Sequence, residues 1–192
     1  MIVDERIITF INSLDTKNSE ILEDIEREAL ADNVPIIRRE MQSFLKVLLM
    51  VKKPMRVLEV GTAVGFSALL MSEYVPEECA ITTIENYEKR IPIARQNFVR
   101  AGKEKKITLL EGDAMDVLKT LEGPYDFIFM DAAKGQYIHY LPEILRLLAK
   151  GGIIVSDNVM QDGDVIESRF AVERRDRTIH ARMREYLYEL KH

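Results

Sequence analysis

The stretch RVLEVGTAVGFSALLM, residues 56–71, decides the fold. Its first five residues form a short apolar run, Arg56 to Val60, bounded by charge on one side and Gly61 on the other, which is the pattern of a buried strand. The small residues Gly61-Thr62-Ala63-Val64-Gly65 then predict a strand-to-helix loop, and Phe66 onward an apolar helix. Working outward, similar short runs recur at Ala80–Ile84, Ile107–Leu110, Phe127–Met130 and Ile153–Ser156, separated by longer helical stretches. That alternation predicts βαβ units in an α/β, doubly wound, Rossmann-like and mostly parallel sheet. One of the connecting helices, with Ile91, Ala94 and Phe98 on one face, is expected to stop at Ala101-Gly102, and Pro92 fits it only in the first turn.

Upstream, apolar residues recur at three and four spacings through about Met50 (Ile7, Phe10, Ile11, Leu14, then Phe44, Leu45, Leu48, Leu49), with a break near Asn33-Val34-Pro35. Residues 1–53 are therefore expected to form a helical cap and residues 54–192 the α/β core of a single domain. Downstream, a last helix from about Arg174 to Leu190 presents Ile179, Met183, Tyr186, Leu187 and Leu190 on one face, and no strand follows it.

The 192 residues suit one core, and no apolar run approaches the roughly 20 residues of a membrane span. MIVDERIITFINSL carries Asp4 and Glu5 where a secretory leader has its basic flank, so a cytoplasmic protein without a membrane partner is expected. Cys79 is the single cysteine, which excludes an intramolecular disulfide and a cysteine zinc cage. A net charge of -5 gives no global attraction to nucleic-acid phosphates.

Ligands of a doubly wound sheet bind beyond the carboxyl ends of its strands, so the residues that follow each strand are the candidates. Gly61 to Gly65 would let a ligand approach the backbone, although a tight turn explains the same residues, and the spacing departs from the G-x-G-x-x-G of dinucleotide binders. Glu85 ends the second strand, where a carboxylate can accept from both hydroxyls of a ribose; an acidic residue ahead of a helix is the alternative. Asp113-Ala114, after the third strand, could receive the exocyclic amine of adenine or simply make a turn. Asp131 and the pair Asp157-Asn158 end the fourth and fifth strands, a hard all-oxygen set that suits magnesium and not zinc, while Asp157-Asn158 alone reads equally as a turn. Lys134 lies three residues beyond Asp131, within reach of a bound hydroxyl whose proton it could take, or else is merely solvated. His139, His180 and His192 have neither ligand nor triad spacing and read as structural or surface residues.

Taken together, VLEVGTAVGFSALLM, TTIEN, EGDA, FIFMDAAKGQY and GGIIVSDNVM resemble the S-adenosyl-L-methionine (SAM) dependent O-methyltransferases of the catechol and caffeoyl-CoA type, over about Arg38 to Leu190. The resemblance implies a class I methyltransferase fold. It places Glu59, Gly61 and Ser67 around the methionine part of SAM with a backbone contact near Ile37, Glu85 at the ribose, Asp113 and Ala114 at the adenine edge, and Asp131 beside the cofactor. It further implies Mg2+ on Asp131, Asp157 and Asn158, and Lys134 as general base. The tail DNVMQDGDVIESRFAVERRDRTIHARMREYLYEL is similar to the bacterial branch that methylates 5-hydroxyuridine at the tRNA wobble position, which implies tRNA as the substrate. Arg169, Arg174, Arg175, Arg177, Arg182 and Arg184 could then meet phosphates, whereas the interspersed Glu167, Glu173, Asp176, Glu185 and Glu189 read by charge alone as a solvated mixed face. A small phenolic, catechol-like acceptor is the alternative. A nicotinamide oxidoreductase and a non-catalytic SAM- or RNA-binding module are readings of other classes. Members of the family add two further strands after this last helix, so the sheet is expected to lack them and to expose its fifth strand, and a homodimer is expected.

Overall fold

A computed structural model describes residues 4–168 and 170–192. Three helices, α1 (Glu5–Ser13), α2 (Glu20–Ala31) and α3 (Arg39–Lys52), precede β1 (Arg56–Val60), α4 (Phe66–Tyr74), β2 (Ala80–Glu85), α5 (Ile91–Arg100), β3 (Ile107–Glu111), α6 (Ala114–Thr120), β4 (Tyr125–Met130), α7 (Tyr137–Leu147), β5 (Leu148–Ser156) and α8 (Arg177–Glu189). Short 3-10 turns at Lys134–Gln136 and Gln161–Ile166 follow β4 and β5. The five strands are all parallel in the order β3-β2-β1-β4-β5.

Both faces of this sheet are covered, as a doubly wound sheet requires, and strand alternation decides which residue goes where. Val57, Ile81, Ile107, Phe127, Phe129 and Val155 pack with Leu22, Ile25, Leu45, Leu49, Leu69 and Phe98 of α2 to α5. Their neighbours Leu58, Val60, Ile84, Ile128 and Met130 pack the other way, with Leu118, Ile144, Leu147, Met183 and Tyr186 of α6 to α8. The helices of the predicted cap thus divide: α2 and α3 share the core of the sheet, while α1 buries none of its residues.

Three predicted boundaries move. The N-terminal helical region has a second break at residues 14–19, where the Asn18 N–H donates to the carboxylate of Glu23 in the first turn of α2. Strand β5 begins five residues early, because α7 runs straight into it and Leu148 pairs with Tyr125 across an irregularity in the ladder, so the polar Lys150-Gly151-Gly152 lies inside the strand. Helix α8 begins at Arg177 and not at Arg174: the Asp176 N–H closes a turn onto the Glu173 carbonyl, and the Asp176 carbonyl takes the first helical bond, from His180. Pro92 sits in the first turn of α5, where its missing N–H costs nothing. No strand follows α8 among the described residues, and β5 pairs with β4 alone. No helix of the described residues is long and apolar enough to cross a membrane.

Candidate functional site

The strand order reverses between β1 and β4, so the loops leaving these two strands by their carboxyl ends flank the crevice where ligands of such sheets bind. The first loop is shaped by close packing. A Cβ on Gly61, at φ 106°, would lie 2.1 Å from the Asp131 carbonyl oxygen, and one on Gly65, at φ 85°, would lie 2.5 Å from the Phe98 ring. Both glycines are therefore demanded by the protein's own contacts, whatever ligand the loop meets. Strand β2 and α5 then hold the loop: the Gly61 and Thr62 N–H groups both donate to the Ile84 carbonyl, and the Asn97 amide donates to the Val64 carbonyl at 2.9 Å.

Beneath the loop lies a buried polar cluster. Glu59 of β1 is fully enclosed and directly opposite Thr83 of β2. The Ser67 hydroxyl, in the first turn of α4, donates to one oxygen of its carboxylate at 2.5 Å, and the Thr83 hydroxyl donates to the other at 2.5 Å. Thr83 also lies 2.6 Å from the Thr62 hydroxyl. Burial pushes the Glu59 carboxyl up to about 7; the two hydroxyls hold it back from rising further, and Asp131 and Glu85 add repulsion. Of the residues expected around the methionine part of SAM, Glu59 and Ser67 are thus in direct contact. The nearby Ile37 is buried, with its carbonyl accepting from the Gln42 amide at 3.0 Å.

At the end of β2, Glu85 turns back on the loop. One carboxylate oxygen accepts the Ala63 N–H at 2.7 Å, and the other accepts those of Asn86 and Tyr87 at 3.0 and 2.9 Å. A carboxylate offers roughly four acceptor positions, so a ribose would take what remains and share the rest. Asp113 caps α6 by accepting the Met115 N–H with one oxygen at 2.9 Å, which leaves the second oxygen beside Ala114, the first residue of that helix.

The acidic set forms where β4 and β5 end. Their register pairs Met130 with Ser156, the Asp131 N–H donates to Val60 and the Asp157 N–H to Met130, which brings the two carboxylates side by side. Lys134 bridges them, with Nζ 2.9 Å from Asp131 and 3.9 Å from Asp157. It also donates to the Tyr137 hydroxyl at 2.9 Å, and that buried hydroxyl donates in turn to the Met130 carbonyl at 2.8 Å. Burial and the neighbouring Asp131 push the Asp157 carboxyl above its ordinary range, with Lys134 opposing. Asn158 follows with φ 48°, a left-handed conformation that asparagine tolerates better than most residues. Among the described residues no three His, Cys, Asp or Glu side chains gather in one cluster, so a cation here would rest on two carboxylates and an amide. That donor set is hard, and its crowded negative charge, offset by one lysine, fits a dication with water or ligand oxygens filling the remaining positions.

The arginines of the tail have diverse partners. Arg182 donates to the Gly135 carbonyl and Arg184 to those of Val165 and Glu167, while Arg175 pairs with Glu173 and Asp176. Arg177 lies over the Phe170 ring, and Arg169 is outside the described residues. His180 is buried in α8 and His139 and His192 are exposed. Thr62, Thr83 and Tyr137, which complete the polar contacts around the site, were not legible in the sequence. Thr83 in TTIEN carried the one available signal, a hydroxyl residue opposite a strand carboxylate.

Residues 12–189 match the model of a family described as O-methyltransferase. Among curated proteins, the catechol O-methyltransferase of Niastella koreensis is 36% identical over 128 residues, which cover 65% of this chain and 58% of that one. The chain spans about half the length of the curated relatives it matches. The crystal structure of the O-methyltransferase from Bacillus cereus in complex with SAH has a TM-score of 0.84 at 27% identity, covering 96% of this chain and 84% of that one. The SAH-bound Podospora anserina methyltransferase has a TM-score of 0.88 at 28% identity, covering 97% and 85%.

Proposed function

Because the chain belongs to the O-methyltransferase family, we propose that it moves the methyl group of SAM onto a hydroxyl oxygen with the help of magnesium. The observation that carries this reading is the meeting, at the carboxyl ends of β4 and β5, of the carboxylates Asp131 and Asp157 with Lys134, at 2.9 and 3.9 Å, next to the loop of residues 61–67. The nicotinamide oxidoreductase reading has no use for this set.

In the proposed reaction Glu59, Gly61 and Ser67 surround the methionine part of SAM, Glu85 the ribose, and Asp113 and Ala114 the adenine edge. Asp131, Asp157 and Asn158 would hold magnesium, which would make a neighbouring hydroxyl more acidic. Lys134 first releases one ammonium proton to solvent; the lone pair on its Nζ then receives the hydroxyl proton, while its hydrogen bonds to Asp131 and Tyr137 hold the nitrogen in place. The freed oxygen forms a bond to the methyl carbon as the sulfur–methyl bond breaks, and in-line positioning supplies much of the acceleration.

The acceptor we propose is 5-hydroxyuridine at the tRNA wobble position, whose oxygens at C4 and C5 are adjacent. The similarity of residues 157–190 to that branch supports it. Since Arg175, Arg177, Arg182 and Arg184 have partners within the chain, phosphate contact would fall chiefly to the exposed Arg174. A small catechol is the second reading, favoured by the curated relatives named catechol O-methyltransferase. A cytoplasmic homodimer completes the proposal. It is supported by the apolar residues that α1 and α3 leave exposed, Phe10, Leu14, Val47 and Val51 among them.

The test is transfer from labelled SAM to tRNA carrying 5-hydroxyuridine, beside a catechol, with magnesium or with chelator. Label in the tRNA that requires magnesium and disappears in Asp157→Ala supports the full reading. Label only in the catechol overturns the tRNA acceptor, and transfer that persists in chelator overturns the metal.

A further inference from the structure

We propose that Thr83 is a positioning residue for the cofactor's amino-acid end, acting through Glu59 and Thr62 on the loop that receives it. This deepens the reading of residues 59–67 as the methionine subsite and rests on it. The geometry is that of a buried chain of hydroxyls which clips the two ends of the loop together. Thr62 lies at its start and Ser67 in the first turn of α4, and between them run Thr62–Thr83 at 2.6 Å, Thr83–Glu59 at 2.5 Å and Glu59–Ser67 at 2.5 Å. All four side chains are buried, Thr83 and Glu59 completely. In such surroundings each polar group must be satisfied from within the protein.

With Glu59 ionised, as it is above about pH 7, counting protons fixes the direction of the chain. A hydroxyl has one proton to donate, and an ionised carboxylate only accepts. Thr83 gives its proton to Glu59 and Ser67 does the same, so the Thr62 hydroxyl must donate to Thr83. The Ser67 oxygen, having donated its proton to Glu59, is then left able only to accept, which suits the ammonium group of an amino acid. Without the Thr83 hydroxyl, Glu59 has an oxygen unpaired inside the core and the Thr62 hydroxyl has no acceptor. Both would seek new partners, and the loop between them would lose its setting.

Thr83→Val keeps the shape of the side chain and removes only the hydroxyl, whereas Thr83→Ser keeps the hydroxyl. SAM binding is measured by calorimetry on the full chain. Turnover is measured with whichever acceptor the wild type methylates, and Thr82→Val on the same strand serves as the neighbouring control. The valine variant is expected to weaken SAM binding about tenfold, the loss of roughly one buried charged hydrogen bond, with kcat at saturating SAM within about twofold of wild type. The serine variant is expected to restore affinity, and Thr82→Val to leave it unchanged. A variant that merely unfolds in part would bind fewer SAM molecules per chain at the same affinity, so the number of sites separates the two effects. Unchanged affinity in Thr83→Val, a loss confined to kcat or to the number of sites, or a serine variant that restores nothing would overturn the proposal. A wild-type chain that does not bind SAM would instead overturn the reading of the subsite on which the proposal rests.

Discussion

At Glu59 a carboxyl group is enclosed between two strands, and ionising it there costs more than in water because the surroundings cannot reorganise around the charge. Two hydroxyls lower that cost without removing it, and the group titrates near 7, not near 4.5. The consequence for stability has a definite sign. Between about pH 4.5 and 7 the folded chain holds a proton that the unfolded chain has released, so the contribution of Glu59 is complete below that window and is lost as pH rises through it. A shift of this size corresponds to something on the order of 3 kcal/mol. Glu59→Gln should flatten the fall in urea-unfolding free energy between pH 5 and pH 7.5, and equal slopes in both proteins would show that Glu59 is not the group responsible. The sequence marked Glu59 as a candidate; its neighbours Thr62 and Thr83 escaped notice, because nothing in a one-dimensional pattern shows that residues 21 to 24 positions apart share one buried pocket.

The elements of the sheet explain why two glycines that both take a positive φ, Gly61 at 106° and Gly102 at 63°, are not equivalent. Gly61 stands where β1 hands over to its loop and the backbone of β4 passes within touching distance; Gly102 ends α5 with φ 63° and open space where a Cβ would be. Alanine at position 102 meets only the cost of a left-handed conformation, roughly 1 kcal/mol, or a fall in Tm of about 3 °C for a chain of this size. Alanine at position 61 meets that cost and a collision with the Asp131 carbonyl, so a fall of roughly 8 °C or more is expected, with weaker SAM binding because the loop and Asp131 move together. Thermal unfolding of the two variants decides the matter, and equal falls would mean that the close approach is not what requires glycine at 61. The alternation of short apolar runs with helical stretches located all five strands. It misjudged the start of β5, since Lys150-Gly151-Gly152 lacks the apolar residues by which a strand is recognised, and the pairing with β4 outweighs that lack.

At the level of the whole molecule the apolar surface is unevenly shared. Ile7, Phe10 and Ile11 on α1 and Leu14 just after it are 52–69% exposed although the helix is strongly amphipathic, and Phe44, Val47, Met50 and Val51 leave α3 similarly open. Two ion-neutral links, Asn12 to Glu40 and Ser43 to Asp15, set α1 against the start of α3, so these residues lie in one region. If they meet a second copy, sedimentation equilibrium should give about twice the 22.2 kDa of the chain, and Phe10→Glu with Val51→Glu should return it to the single-chain mass without lowering the Tm of dilute protein. A wild type that sediments as one chain throughout the micromolar range would dismiss the homodimer. The sequence by itself determined the α/β class, the positions of the strands and the residues at their carboxyl ends, because burial on both faces forces apolar runs and a switch point collects whatever follows them. Only the tertiary structure decided the rest. Strand register sets Asp131 beside Asp157, the Asp131 carbonyl fills the space a side chain at Gly61 would need, and a cross-strand pair encloses Glu59 with Thr83. These are distances between residues far apart in the chain, and a local pattern carries no record of them.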